Sequence, residues 1–293
     1  MSIHGLLAAE LALGWKKPPY PAWNAVLPTL DDIEASVPFM WPSQLQRLLP
    51  CAARQILEKQ DRMFARDWRA FSSSFASVVT RRDYSYAWLL VNSRTFYYET
   101  PETAKYLWED RLAQLPVADL FNHAQVAGCK VSYSSSGYEF RAQRDYGAGQ
   151  EIHISYGDHS NDYLLAEYGF VMKPNKWDEV YLDDALLPRL DEKQKVEVEK
   201  GSKLTGGFAL KIAQGDSNSV GPKLQAALKL LSKTSNRTPE QILSELVGDY
   251  LVTTKQTIAE VQATEVGTEA QRELLMRRWE QIHAILEGHA AIV

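Results

Sequence analysis

Apolar periodicity changes once along this chain, at Pro174-Asn-Lys-Trp177, and the two sides cannot build the same layers. Beyond it, apolar residues recur at helical spacing over roughly 188–200, 219–232, 238–263 and 268–287, which predicts helix packed on helix. Before it, the pattern turns to alternation after residue 125. Val131 and Tyr133, the turn Ser134-Ser-Ser-Gly137 and Tyr138-Glu-Phe-Arg-Ala142 predict a hairpin. Glu151-Ile-His-Ile-Ser155 predicts a strand with Ile152 and Ile154 on one face and His153 on the other. Asn161 to Tyr168 reads as a short helix stopped by Gly169. The sum is an α+β arrangement of small β-sheets over 1–174, followed by an all-α domain over 175–293. A chain of 293 residues is long enough for both without disulfide staples.

Helical segments also fill the first third. Leu6 to Leu13 reads as an apolar helix, Leu45 to about Phe75 as an amphipathic helix pair, and Asp83 to about Phe96 as a helix capped by Asp83. Between them Pro18, Pro19, Pro21, Pro28, Pro38 and Pro42 alternate with Trp15, Tyr20, Trp23, Phe39 and Trp41. Proline fixes φ and lacks a donor, so this stretch is neither one long helix nor a central strand. Large side chains hold it together as short helices, within a helical insert of about residues 1–90. Further on, Thr238-Pro239-Glu240-Gln241 is a helix start signal. Ile242, Leu243, Leu246, Val247, Leu251, Leu274, Leu275, Trp279, Ile282 and Leu286 are spaced as core. Lys193, Lys195, Lys200 and Lys203 among Glu192, Glu197 and Glu199 form a solvated face, and residues 215–219 a loop.

Charge and cysteine content narrow the functional classes. With 32 basic against 37 acidic residues, the chain has no basic stripe for phosphates, so no nucleic-acid partner is expected. Cys51 and Cys129 cannot make a zinc site alone, and no metal is expected. No apolar run approaches the ~18 residues of a spanning helix, and the start lacks a secretory leader, so the expectation is an intracellular protein, cytoplasmic or nuclear, without a membrane partner. Oligomeric state is not legible.

Generic catalytic motifs are missing: there is no Gly-rich phosphate loop, H-E-x-x-H, G-x-S-x-G or C-x-x-C. His283 and His289 fall on a polar helical tail and read as solvated. Two segments concentrate polar groups beside apolar ones. Asp119-Leu-Phe-Asn-His123 must find partners for whatever it buries. Glu151-Ile-His-Ile-Ser-Tyr-Gly157, with Asn161, Leu164-Leu165 and Tyr168-Gly-Phe170, twice places a phenol beside a flexible backbone. Each alone is equally well a structural turn with a hydrogen-bonded side chain, and neither names a reaction.

In this order the segments resemble a family. Asp119-Leu-Phe-Asn-His123 is similar to the Asn-His motif of SET-domain lysine methyltransferases, and Glu151–Gly157 to their catalytic-tyrosine strand. Asn161…Leu164-Leu…Tyr168-Gly-Phe170 and Ser93-Arg94-Thr95-Phe96, placed on the preceding helix, resemble the RuBisCO large-subunit methyltransferase subgroup. The helices from about 177 resemble its substrate-binding domain. The resemblance implies S-adenosylmethionine as cofactor and, as partner, a protein presenting a lysine, ribosomal or otherwise non-histone. It implies that Tyr156 is the catalytic tyrosine, that Asn122, His123, Arg94 and Tyr168 bind the cofactor, and that Phe96, Asp119 and Tyr133 line the lysine channel.

The chemistry suits these residue types. Methyl transfer from a sulfonium to an amine is an in-line displacement dominated by alignment. The amine must be neutral although free lysine has a pKa near ~10.4, and an aromatic channel disfavours its charged form by desolvation. The sequence departs from the family at its start, where no Gly-x-Gly element precedes Leu6. The SET sheets are therefore expected to be incomplete at the N-terminus, which bears on cofactor affinity. Two other classes stay open on the residues alone: a non-catalytic interaction module derived from the fold, and a SET-like enzyme acting on a small molecule.

Overall fold

The computed structural model describes all residues except 16–19, 127, 135, 201–206, 213–218 and 292–293. Pro18, Pro19, Ser135, Lys203 and most of the loop expected at 215–219 therefore lie outside the described residues. The chain divides into two compact units, each discontinuous in sequence: residues 1–33 with 58–158, and residues 34–57 with 159–293.

The first unit is built on aromatic packing. Helix Ile3–Gly14 starts at Ser2, whose Oγ accepts from the Gly5 amide. Gly5 has no room for a side chain, since a Cβ there would stand 2.7 Å from Asp67 Cγ. Asp67 accepts from the Ser2 amide (2.9 Å) and hydroxyl (2.7 Å) and from Trp88 Nε1 (3.4 Å). Burial alone would raise its carboxyl, but these donors hold it below the ordinary carboxylate value. His4 stacks on Trp88 at 4.2 Å, and its Nε2 donates to the Trp88 carbonyl. Phe64, Phe71, Tyr84 and Trp88 are fully buried, Phe71 and Tyr84 stacking at 4.4 Å.

Two antiparallel pairs follow. Strand β1 (Thr95–Tyr97) pairs with β2 (Leu112–Gln114), setting Phe96 opposite Ala113. Strand β3 (Cys129–Ser134) pairs with β4 (Gly137–Ala142), setting Tyr133 opposite Tyr138, as the hairpin reading required.

Several expectations need correction. The stretch 45–75 holds two helices, but very unequal ones: the five-residue Ser43–Arg47 and the long Cys51–Phe75. The next helix runs Arg81–Arg94 and is capped by Thr80, whose Oγ1 accepts from the Asp83 amide. A hydroxyl three residues earlier outcompetes the expected cap. Thr95 and Phe96 are consequently on a strand, not a helix. Glu151–Ser155 is not a strand: it makes one parallel bridge, His123 to Ile154. With no ladder to impose a pleat, Ile154 is buried while Ile152 is exposed.

The second unit carries the large aliphatic core, including Leu45, Leu49, Leu165, Leu182, Leu210, Leu224, Leu246, Leu275 and Leu286. Its helices Pro222–Thr234, Pro239–Ala263 and Glu269–Ala290 match the predicted segments. Thr238 and Gln241 form a capping box, and Thr268 and Gln271 form a second. The region from 175 is nevertheless not all-α. Strands β5 (Glu179–Tyr181), β6 (Ala209–Lys211) and β7 (Ser219–Val220) form an antiparallel sheet, each too short to show alternation. His289 is buried rather than solvated, and its Nε2 shares a hydrogen bond with the Lys211 carbonyl at 3.3 Å. No described helix is long and apolar enough to cross a membrane.

Candidate active site

Helix Arg81–Arg94 delivers Arg94 at its last position, anchored by the buried Ala87, Trp88, Leu89, Leu90 and Val91. Ser93 Oγ bonds the Leu89 carbonyl and Thr95 Oγ1 the Val91 carbonyl, which closes the helix end before β1 begins. Arg94 Nη1 donates to the Asp119 carbonyl at 2.7 Å and lies 3.5 Å from Asp119 Oδ2. Asp119 sits in the one-turn 3₁₀ helix Ala118–Leu120 with its side chain out of contact with water. Trp23 Nε1 donates to both of its oxygens, at 3.1 and 3.0 Å. Just before it, Val117 has φ +77°, a left-handed conformation that a β-branched residue avoids at a cost of about 1–3 kcal/mol. Strain of this kind gathers where surrounding structure over-determines a functional loop.

Asn122 and His123 are positioned by the single bridge. The Ile154 amide donates to the Asn122 carbonyl and the Ala124 amide to the Ile154 carbonyl, both at 3.0 Å. The Asn122 amide group donates to Glu151 Oε1 at 2.6 Å. Tyr156 is tied at both ends to this segment. Its amide donates to His123 Nδ1 at 3.0 Å, and its hydroxyl donates to the Phe121 carbonyl at 2.8 Å. Because Nδ1 accepts, the proton of the neutral imidazole resides on Nε2. The two rings lie 5.2 Å apart. Burial pushes the Tyr156 phenol above its ordinary pKa, with the Arg94 charge opposing and Asp119 and Glu151 adding, so the group is a neutral hydroxyl at physiological pH.

From Phe121 a run of rings leads outward. Phe121 stacks on Phe140 at 5.1 Å, Phe140 meets Phe96 at 6.2 Å, and Phe96 meets Tyr138 at 5.6 Å. Tyr138 stacks on Tyr133 at 5.3 Å, and its hydroxyl donates to the Tyr97 carbonyl. The structure therefore brings Arg94, Phe96, Asp119, Asn122, His123, Tyr133 and Tyr156 into one unit, joined by hydrogen bonds and ring contacts. Tyr168 belongs to the second unit, at the last position of helix Asn161–Tyr168. That helix ends at Gly169 with φ +78°, where a Cβ would stand 2.9 Å from Ser36.

Sequence reasoning assigned no role to Trp23, Phe121, Phe140, Tyr138 or Glu151. Trp23 lies 96 residues from the carboxylate it serves, and no local pattern marks it. Tyr138 and Phe140 carried a signal, being alternate residues on the strand, opposite Tyr133 and Val131. Among the described residues no group of three or more His, Cys, Asp or Glu side chains could hold a metal ion.

A backbone-tied phenol, an Asn-His pair on a single parallel bridge and an arginine at a helix end make up the candidate site. Residues 25–157 match the family described as SET domain. The fold aligns with the SET domain of LSMT bound to lysine and AdoHcy at TM-score 0.60 and 15% identity, over 99% of this chain and 73% of that one. It aligns with Rubisco LSMT bound to AdoMet at TM-score 0.55 and 16% identity, over 97% and 73%. In sequence the chain is 30% identical over 139 residues to ribosomal lysine N-methyltransferase set11 of Schizosaccharomyces pombe, covering 47% of this chain and 35% of that protein. It is 30% identical over 193 residues to SET domain-containing protein 4 of Mus musculus, covering 61% and 42%. The chain thus spans between about a third and a half of the length of these curated relatives.

Proposed function

We propose that this chain is an S-adenosylmethionine-dependent protein-lysine N-methyltransferase acting on a non-histone protein. The observation that carries the reading is Tyr156, held by two hydrogen bonds to residues 121 and 123 where the run of aromatic rings ends. A phenol fixed in that way cannot swing, which suits orientation of an amine more than proton transfer. The names of its relatives, ribosomal lysine N-methyltransferases among them, support the same substrate class.

The residues fit the cofactor's charges. Arg94 is 22% exposed and engages Asp119 through Nη1 alone. Among the described residues its Nε and Nη2 carry no bond, so a planar fork is available for a carboxylate. Asn122 is exposed and precedes His123 in the bridged segment, and both stand in the proposed set. When bound, the cofactor supplies an electrophilic methyl group on a sulfonium. This chain's residues do the rest. Phe96 and Tyr133 exclude water from the incoming side chain and disfavour the ammonium over the amine. Asp119 is spoken for by Trp23 and Arg94, so its part in the channel is to fix Arg94. Tyr156 aligns the amine, and ring faces stabilise the methylammonium as it forms.

Tyr156→Phe tests this reading. Methyl transfer to a lysine-bearing protein is expected to fall at least about tenfold, roughly 1.4 kcal/mol, with calorimetric S-adenosylmethionine affinity unchanged. Equal turnover by both proteins removes Tyr156 from catalysis.

A further inference from the structure

The ring run does not stop at Tyr133. Tyr133, 44% exposed, meets Tyr97 at 6.2 Å, and Tyr97 meets Trp108 at 6.4 Å. Trp108 is 70% exposed and follows Tyr106 (47%) and Leu107 (66%), three large side chains in succession at the surface. Single exposed apolar residues are ordinary, but a contiguous group held in one arrangement marks a contact surface. This group is held. Arg111 donates to the Ala104 carbonyl (2.8 Å), the Tyr106 carbonyl (3.1 and 3.0 Å) and the Tyr97 hydroxyl (3.1 Å), and it pairs with Glu99.

Charge around the rings has one sign left over. Residues 99–111 contain Glu99, Glu102, Glu109 and Asp110 against Lys105 and Arg111. Arg111 is consumed as described, and Asp110 accepts from the Ile3 amide. Glu102 and Glu109 are exposed and form no ion pair among the described residues. Lys105 Nζ already lies 5.4 Å from the Tyr106 ring centre, so an ammonium on this surface finds an aromatic face.

We propose that the Tyr106-Leu107-Trp108 strip, with Tyr97 and Tyr133 and the carboxylates of Glu102 and Glu109, docks an extended Lys/Arg-rich segment of a protein. Its rings take the alkyl stems and guanidinium or ammonium faces, and the two carboxylates select for positive charge. A second copy is disfavoured, because a two-fold contact would set this acidic rim against itself. The inference rests on the methyltransferase reading only in naming the segment a substrate. A lysine leaving the docked segment meets rings from Tyr133 to Phe121 and arrives at Tyr156.

The test is a binding measurement on the full chain, which does not depend on turnover. The probe is a fluorescein-labelled Gly-Lys-Gly-Arg-Gly-Lys-Gly peptide, read by anisotropy, with its Glu counterpart as control. Wild type is expected to bind the basic peptide, to ignore the acidic one, and to lose at least about fivefold in affinity at about 0.5 M salt. Trp108→Ala, and separately Glu102→Lys with Glu109→Lys, are each expected to weaken binding at least about fivefold with the thermal midpoint unchanged. The proposal is overturned by no binding to wild type, by equal binding of the acidic peptide, or by unchanged affinity in both variants. A wild-type dimer that Trp108→Ala dissolves overturns it in favour of a second copy. Binding without methyl transfer leaves the docking surface standing and removes the methyltransferase reading, so the two failures are distinct.

Discussion

Each unit buries a carboxylate against an arginine, and the two arrangements differ in what they leave over. In the second unit Arg278 is fully buried: its Nε donates to Asp162 Oδ1 at 2.6 Å, Nη1 to Asp178 Oδ2 at 2.7 Å and Nη2 to the Glu179 carbonyl at 3.1 Å. Burial alone would lower its pKa, but the two carboxylates push it above the ordinary arginine value. Asp178 also accepts from the Asn161 amide and side chain, both at 2.9 Å, so the network is closed on every side. In the first unit Arg94 touches Asp119 with one nitrogen, keeps partial exposure, and leaves the remaining fork unspent. A saturated guanidinium holds elements together. An unsaturated one can still bind.

Removing the arginines separates the two cases. Arg278→Met is expected to destabilise the protein by about 3–5 kcal/mol, because it strands two buried carboxylates. Urea unfolding measures it, and a loss under about 1 kcal/mol would break the contrast with Arg94. A pH series extends the comparison to a third buried cation-capable group. Burial lowers the His4 pKa from 6.5 to about 4 in the folded state. The unfolded chain therefore binds the proton first, so stability is full above the unfolded pKa and falls as pH drops from 6.5 to about 4. The loss amounts to at most about 3 kcal/mol relative to His4→Gln, which does not titrate. Equal acid sensitivity in the two proteins would show that His4 is not held neutral. Arg94→Ala should leave unfolding within about 1 kcal/mol of wild type and weaken S-adenosylmethionine binding by about 1.5–3 kcal/mol, seen by calorimetry. A large stability loss with unchanged binding would place Arg94 with Arg278.

Legibility followed the range of the interaction. The Asn161–Tyr168 helix with its Gly169 stop, the Cys129–Ala142 hairpin and the Thr238 capping box all depend on partners within a few residues, and all were readable. Boundaries failed where two local signals competed, as Thr80 did with Asp83. They also failed where pairing was too sparse to enforce a pattern, as at Ile152. The site residues were readable only as an ordered set of motifs. Their geometry was not, because Trp23 and Asp119, or Arg278 and Asp162, meet across 96 and 116 residues.

By itself the sequence determined where helices and turns arise, that the first part is aromatic-rich and the last aliphatic, and the SET resemblance carried by residues 93–96, 119–123 and 151–170. Tertiary structure alone decided which arginine is sealed and which retains donors, and that a line of rings runs from surface Trp108 to Phe121, whose carbonyl accepts from Tyr156. Those outcomes depend on which distant side chains exclude water from a given group, and desolvation is a property of the packed chain rather than of any segment of it.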